Sequence, residues 1–433
     1  MKRILSMLLS ICLLLPLIAA CGQDAADSPT TNTTTTDPTP DGKIEAVNLM
    51  ADVTANQVAD REPDDAFKTA YADFAAKLLT GSAALEREEN LLISPLSAML
   101  ALAMTANGAE DETLAEMQTL LGGTLSMEEL NGMLRTWVAS MATRKYVTLS
   151  AANSIWFKEK RFIPDPAFLQ TNADYFGADV YAAPFSDQTV KDVNLWIEEK
   201  TNGLIKEMLN GLDPETVMLL INTLYFQAEW NDPYQDGQLE DGTFHGVNGD
   251  ETVQMMRSVE STYLSMEGAQ GFKKYYKGGF YFAALLPDEG TDIADFVASL
   301  TGEKLTAALS SGSRADVYAK LPAFSYDCDL SLKEVLAPHI PDAFTPFEAD
   351  FSGMGTTDNG DPLFISKVLQ KTNITLDKNG TTAAAATVVV MNGATGMPEE
   401  LPVYHITLDR PFVYVITDSY TGLPIFIGVV EQL

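Results

Sequence analysis

"DKNGTTAAAATVVVMNGATGMPEE", residues 377–400, is the stretch on which the reading of this chain turns. It joins a turn signal, Gly380-Thr381-Thr382, to the alanines 383–386, a β-branched run from Thr387 to Val390, and a loop rich in Gly and Asn. The alanines favour helix, the β-branched run favours strand, and "MNGATG" favours an exposed turn. Alone, the segment reads as a buried strand or short helix of small residues. Its flanks decide otherwise.

Downstream, "VYHITL", "PFVYVITD" and "PIFIGVV" are strands, the last two forming a hairpin across Ser419-Tyr420-Thr421-Gly422. Upstream, "YVTLSAANSIWF" (146–157) and "TVMLLINTLYF" (216–226) are rich in β-branched and aromatic residues. The second is apolar on both faces, so both are expected to be central strands. "FYFAALLP" and "ADVYAKLPAF" add further strands, and "VKDVNLWIEEKTNGLIKEML" (190–209) alternates at helical period. Three helices come earlier. "DDAFKTAYADFAAKLLTG" sets Phe67, Tyr71, Phe74, Leu78 and Leu79 at helical spacing and is expected to end before Gly81. "SPLSAMLALAMTANG" opens with a Ser-Pro cap and is apolar throughout, and "DETLAEMQTLLGG" is expected to close at Gly122. The pattern predicts one α+β domain over residues 62–433, with helices concentrated early and sheets later.

The 433 residues include 60 acidic against 28 basic, a formal net charge of −32. Such a field repels phosphate backbones, and nucleic acid is not an expected partner. Lys2 and Arg3, an apolar run from Ile4 to Ile18 and then small residues read as a signal peptide over residues 1–20. Ile18-Ala19-Ala20-Cys21 resembles the bacterial lipobox, which implies a lipid on Cys21 and membrane attachment through it. Residues 21–61 are read as the lipidated N-terminus and a disordered tether, since 22–42 hold almost no large apolar side chain. The expected location is beyond the cytoplasmic membrane, lipid-anchored at the cell surface or periplasmic face. Cys12 leaves with the signal and Cys21 takes the lipid, so Cys328 remains and no intramolecular disulfide can form.

Sites for chemistry are scarce. His245, His339 and His405 are scattered without ligand spacing, so no metal is expected. No serine sits in a G-x-S-x-G elbow or has a lysine three residues on, and phosphate-loop and dinucleotide fingerprints are missing. "NDPYQDGQLEDG" and "TTDNGDP" could offer oxygens to calcium but read as solvated turns in so acidic a chain. No cofactor and no enzymatic turnover are expected.

Several separated motifs in order make residues 62–433 resemble the serpin family. They are "NLLISPLSAMLALAMTANGAEDETLAEM", which holds Asn90, Ser94 and Ser97; "WIEEKTNGLI"; "NTLYFQAEW", Asn222 to Trp230; "ADFSGM"; "DKNGTTAAAAT"; and "HITLDRPFVYVITDSYTGLPIFIGVV". The resemblance implies a single domain with a large central mixed sheet, helices around it and an exposed reactive-centre loop. It also implies a metastable suicide inhibitor that a serine protease attacks, acylating itself while the freed loop inserts as a strand. On this sequence it implies a hinge of Gly380, Thr381, Thr382, Ala383, Ala384, Ala385, Ala386 and Thr387. The bait bond would be Ala394 to Thr395, with Gly393 and Met391 as fallbacks, and a small residue there suits elastase-like or subtilisin-like enzymes. Ser94, Ser97, Asn222 and Gln370 would form a sheet-opening cluster, and Trp230 would sit where the loop enters. The partner would be a covalently held serine protease, met by a monomer.

Two departures go with the resemblance. Gln370 stands where the family usually has a histidine. Lys378 stands where an acidic residue is usual, with Ala323 in place of its lysine partner, so that ion pair is expected to be missing. The hinge also has its own physics: small side chains pass between strands without clash. Alternation would send Thr381, Ala383, Ala385, Thr387, Val389 and Met391 to one face. Thr381 to Ala394 would span roughly 46 Å at about 3.3 Å per residue. The alternative is a serpin-fold cell-surface binding lipoprotein without inhibitory action, which the small residues of "GTTAAAAT" oppose.

Overall fold

The computed structural model describes residues 42–433 apart from 88–89, 159–161, 202, 204, 358–362 and 382–399. Its first half holds β1 (Val47–Asn48), α1 (Asp65–Ala83), β2 (Leu91–Ile93), α2 (Pro95–Ala106), α3 (Asp111–Gly122) and α4 (Met127–Ala142). Then come β3 (Val147–Lys158), β4 (Ile163–Pro164), α5 (Pro166–Phe176), β5 (Asp179–Ala183), α6 (Asp187–Lys200) and β6 (Met218–Glu229). A ribbon of β7 (Leu239–Gly246), β8 (Gly249–Met266), β9 (Ala269–Tyr276) and β10 (Phe280–Pro287) follows. Next are α7 (Ile293–Ala298), α8 (Gly302–Ser310), β11 (Ser313–Pro322), β12 (Phe324–Ser331), α9 (Lys333–Leu336), α10 (Pro341–Phe344) and β13 (Gly355–Thr356). β14 (Lys367–Leu376), β15 (Gly380–Thr381), β16 (Val403–Thr407), β17 (Phe412–Asp418) and β18 (Pro424–Val430) complete the described chain.

Two large sheets result, as an α+β domain requires. A seven-stranded sheet runs β1-β5-β3-β6-β15-β14-β12, and a nine-stranded one runs β16-β11-β8-β9-β10-β17-β18-β2 with β7 paired to β8. β6 is buried on both faces because each face has its own cover. Leu220 and Phe226 join the main core, where the Phe226 ring meets Phe280 edge-on with centroids 5.3 Å apart. Leu219 and Ile221 face the other way, onto Trp156, Trp196 and Ile197 under α6. α2 starts where the Ser94 hydroxyl accepts from Ser97 N and Pro95 occupies the first turn, and all its residues are buried.

The structure corrects four expectations. α1 runs through Gly81 to Ala83, and a Cβ on Gly81 would lie 2.6 Å from Val335 Cγ1, so this glycine makes room for a neighbour instead of ending the helix. α3 is closed by Gly123, at φ +61°, one residue after Gly122. The helix expected over 190–209 stops at Lys200. Beyond it Thr201 Oγ1 accepts from Ile205 N, and Asn194 Oδ1 accepts from Met208 N and Leu209 N, so the chain folds back and its apolar residues return to α6. The domain also begins before residue 62. β1 pairs with β5, Ala46 N donates to Asp192 Oδ2 at 2.8 Å, and Asn56 bonds Asp174 twice. The polar composition of this segment conceals that its backbone is satisfied by the sheet edge and by side chains on α5 and α6.

Candidate functional site

The site lies in the seven-stranded sheet, between β6 and β14. These strands pair in parallel only from Lys367↔Leu219 to Gln370↔Asn222. Higher up, Thr223 to Gln227 pair with β3 and Lys371 to Thr375 pair with β12, but the two runs share no rung with each other. At the top, β15 closes the opening: Thr381 pairs with Ala228 on one side and Leu376 on the other, and Gly380 pairs with Glu229. Among the described residues the sheet is therefore paired below, without a rung between β6 and β14 in the middle, and closed at its mouth by Gly380 and Thr381.

Local chemistry fixes that plug. Asp377 Oδ1 accepts from Asn379 N at 2.7 Å and Gly380 N at 3.1 Å, folding a tight turn. Gly380 holds φ +158°, and a Cβ there would come within 2.1 Å of Ala228 O, so both conformation and space require glycine. Trp230, fully buried, donates Nε1 to Asp377 O at 2.9 Å and its backbone N to Asn379 O at 2.8 Å. Its ring stacks on Tyr276 at 4.1 Å. The Tyr276 hydroxyl shares a 2.6 Å hydrogen bond with the buried Thr381 Oγ1. Burial pushes the Tyr276 phenol well above its ordinary range, so it stays neutral. Lys274 completes the wall, 2.9 Å from Glu260 and lying over the Tyr234 ring at 4.2 Å.

The four residues of the expected cluster are neighbours: Ser97 N donates to Ser94 Oγ, Gln370 pairs with Asn222 across the strands, and the Gln370 amide bonds the Ser94 backbone. Gln370 Oε1 accepts from Ser94 N and its Nε2 donates to Ser94 O, both at 2.9 Å. An amide can do both at once. Ser94 Oγ donates to Ile425 O, tying this point to β18. Asn222 lies beside Gln370 in register, but its side chain bonds Asn153. Ser97 Oγ, Asn222 Oδ1 and Thr223 Oγ1 are buried without a hydrogen-bond partner among the described residues. Asn90 serves elsewhere, holding the backbone of Glu431 and Gln432.

The top of the hinge carries an ion pair that the sequence reading did not anticipate. Lys378 Nζ lies 2.7 Å from Asp236 Oδ1, and this partner holds the lysine above and the aspartate below their ordinary ranges. Asp236 lies far from Lys378 in sequence, and no local spacing points to it. Both groups are solvated and the pair contributes little. Tyr276, Lys274, Glu260 and Asp377 also escaped sequence reasoning. The aromatic alternation in "FKKYY" is the only trace of Tyr276 there. Thr382, Ala383, Ala384, Ala385, Ala386 and Thr387 of the hinge, the bait residues Met391, Gly393, Ala394 and Thr395, and Cys21 lie outside the described residues.

Comparison with known proteins agrees with this geometry. A family profile described as Serpin (serine protease inhibitor) matches residues 69–433. Leukocyte elastase inhibitor A of Mus musculus is 30% identical over 358 residues, which cover 78% of this chain and 92% of that protein. The crystal structure of a thermophilic serpin, Tengpin, in its native state is 42% identical with a TM-score of 0.83, covering 90% of this chain and 100% of that one. The same serpin in its latent state superposes less well, at 40% identity with a TM-score of 0.75, covering 87% of this chain and 100% of that one.

Proposed function

We infer, from the premise that this chain belongs to the serpin family, that it is a suicide inhibitor of serine proteases with shallow primary pockets, elastase-like or subtilisin-like. One observation carries the reading. Continuing the register of β15 downward, with Thr381 opposite Ala228 and Leu376, would set Thr387 opposite Asn222 and Gln370. The small-residue hinge thus has the length of the unpaired stretch, and ends where β6 and β14 first meet. Open strand edges favour strand addition, and small side chains fit between existing rows.

The protease serine oxygen would attack the carbonyl of Ala394, and the amine of Thr395 would leave with a proton, giving an acyl-enzyme ester. The freed hinge would then fill the opening, gain ladder hydrogen bonds on both sides, and go on to part the four rungs between β6 and β14. The native state would be held kinetically. Its buried orphan hydroxyls and amide oxygen fit that picture, since each unsatisfied group costs about 1–3 kcal/mol. The Ile18–Cys21 motif supports placing the domain outside the cytoplasmic membrane on a lipid. Incubation with elastase-like and subtilisin-like proteases should give a denaturant-resistant adduct on a gel. Cleaved protein alone across a broad protease panel would sink the inhibitor reading in favour of a binding role.

A further inference from the structure

A row of exposed side chains on the outer face of the nine-stranded sheet is not accounted for by the opening. Tyr318 on β11 pairs with His405 on β16 and with Val259 on β8, so the three stand side by side. Tyr318 is 49% exposed and Val259 56%, and the Tyr318 and His405 rings stack with centroids 5.1 Å apart. In the adjacent row, Lys320 Nζ and Arg257 Nε both reach Glu240, at 2.7 and 3.1 Å. Two cations sharing one carboxylate leave a local positive surplus in a chain of net charge −32. Val259, Tyr318, His405, Arg257 and Lys320 line a concavity of about 430 Å³.

An apolar and aromatic row left in water is not explained by folding. Its position supplies an occupant. Val403, itself 56% exposed, opens β16 a few residues after the hinge-and-bait segment 382–399, where the chain returns to the body. Even fully extended, the chain from Thr395 to Val403 reaches only about 30 Å. A protease holding the bait therefore sits close to this face. Stable protease–inhibitor contacts need about 800 Å² from each partner, drawn from some 20–30 residues a side, and a bait strand supplies only part of that.

We propose that the Tyr318, His405 and Val259 row is a docking surface for the body of the target protease. It receives an apolar surface loop carrying at least one carboxylate, which meets Arg257 and Lys320. The proposal rests on the trapping reading above. The test is the second-order rate of covalent complex formation. The double variant Tyr318→Ala with His405→Ala should form the complex about tenfold more slowly, with the ratio of trapped to cleaved protein and the melting temperature unchanged. Val259→Ser should slow it in the same direction and serves if the double variant folds poorly. Phe347→Ala, at an 84% exposed aromatic in another loop, should leave the rate alone. Wild-type rates in both docking variants, or an equal loss in Phe347→Ala, would overturn the docking face while leaving trapping intact. A wild-type chain that traps no protease would remove both.

Discussion

The C-terminal hairpin and the opening between β6 and β14 are built from similar residues and finished differently. β17 lies between β10 and β18, β18 also pairs with β2, and every residue of both strands is buried. At its end the fully buried Asp418 accepts from Trp137 Nε1, Arg144 Nη1 and Thr421 Oγ1. Among the described residues Thr417 Oγ1 has no partner there, while Ser97, Asn222 and Thr223 each leave a polar atom without one around the opening. One sheet is paired throughout, and in the other the described residues leave a stretch between β6 and β14 without rungs, where the proposed insertion would take place. Stability in this chain is therefore uneven by construction, and the uneven part is where the proposed action lies.

The contrast can be broken most forcefully at the mouth of the opening. Thr381→Arg would put a charge against the buried Tyr276 hydroxyl, at a position already buried in the mouth from which insertion would continue. The covalent adduct should be lost almost entirely and replaced by cleaved protein, a shift of at least about tenfold in the ratio of the two. Undiminished adduct would mean that the loop does not enter here.

A smaller effect is expected in the complete sheet. Asp418→Asn leaves Arg144 without its carboxylate and should cost about 3 kcal/mol in denaturant unfolding, with the adduct ratio unchanged. Burial pushes the Asp418 carboxyl up, but the bonds from Arg144, Thr421 and Trp137 outweigh it and hold the group below the usual carboxylate range. A depressed carboxyl stabilises fully above its unfolded value near ~4 and loses that contribution as pH falls through its folded value. The gap between wild type and Asp418→Asn should therefore be constant above about pH 4 and close below it. A gap that persists at low pH would assign the loss to shape alone.

The smallest effect has the opposite sign. Thr223→Val keeps the shape beside the opening and removes an orphan hydroxyl, so it should stabilise the native protein by about 1 kcal/mol. Destabilisation instead would show that the hydroxyl is satisfied in solution, and that the opening stores less than proposed.

How much of this was legible in the sequence depended on range. Ser94 with Pro95 announced its helix because a cap is local chemistry, and "PFVYVITD" with "PIFIGVV" announced their hairpin because a turn joins them. Gly81 misled because the volume it vacates belongs to Val335, far along the chain. The helix ending at Lys200 misled because apolar period continues past it while the backbone turns back onto Asn194. Within the site, Gln370 uses both ends of its amide on the Ser94 backbone, far away along the chain, a pairing that only folding brings about. Asp236 and Tyr276 could not be found by any motif, since each matters only through what folding brings beside it.

Cys328, buried in β12, is a thiol and not half of a disulfide. No covalent tie involving it fastens the edge of the seven-stranded sheet to its neighbours. Under the proposed insertion the sheet would then spread without breaking a disulfide at this strand, and the event would make no demand there on the redox state of its surroundings. Reducing and oxidising environments should leave such a device equally ready.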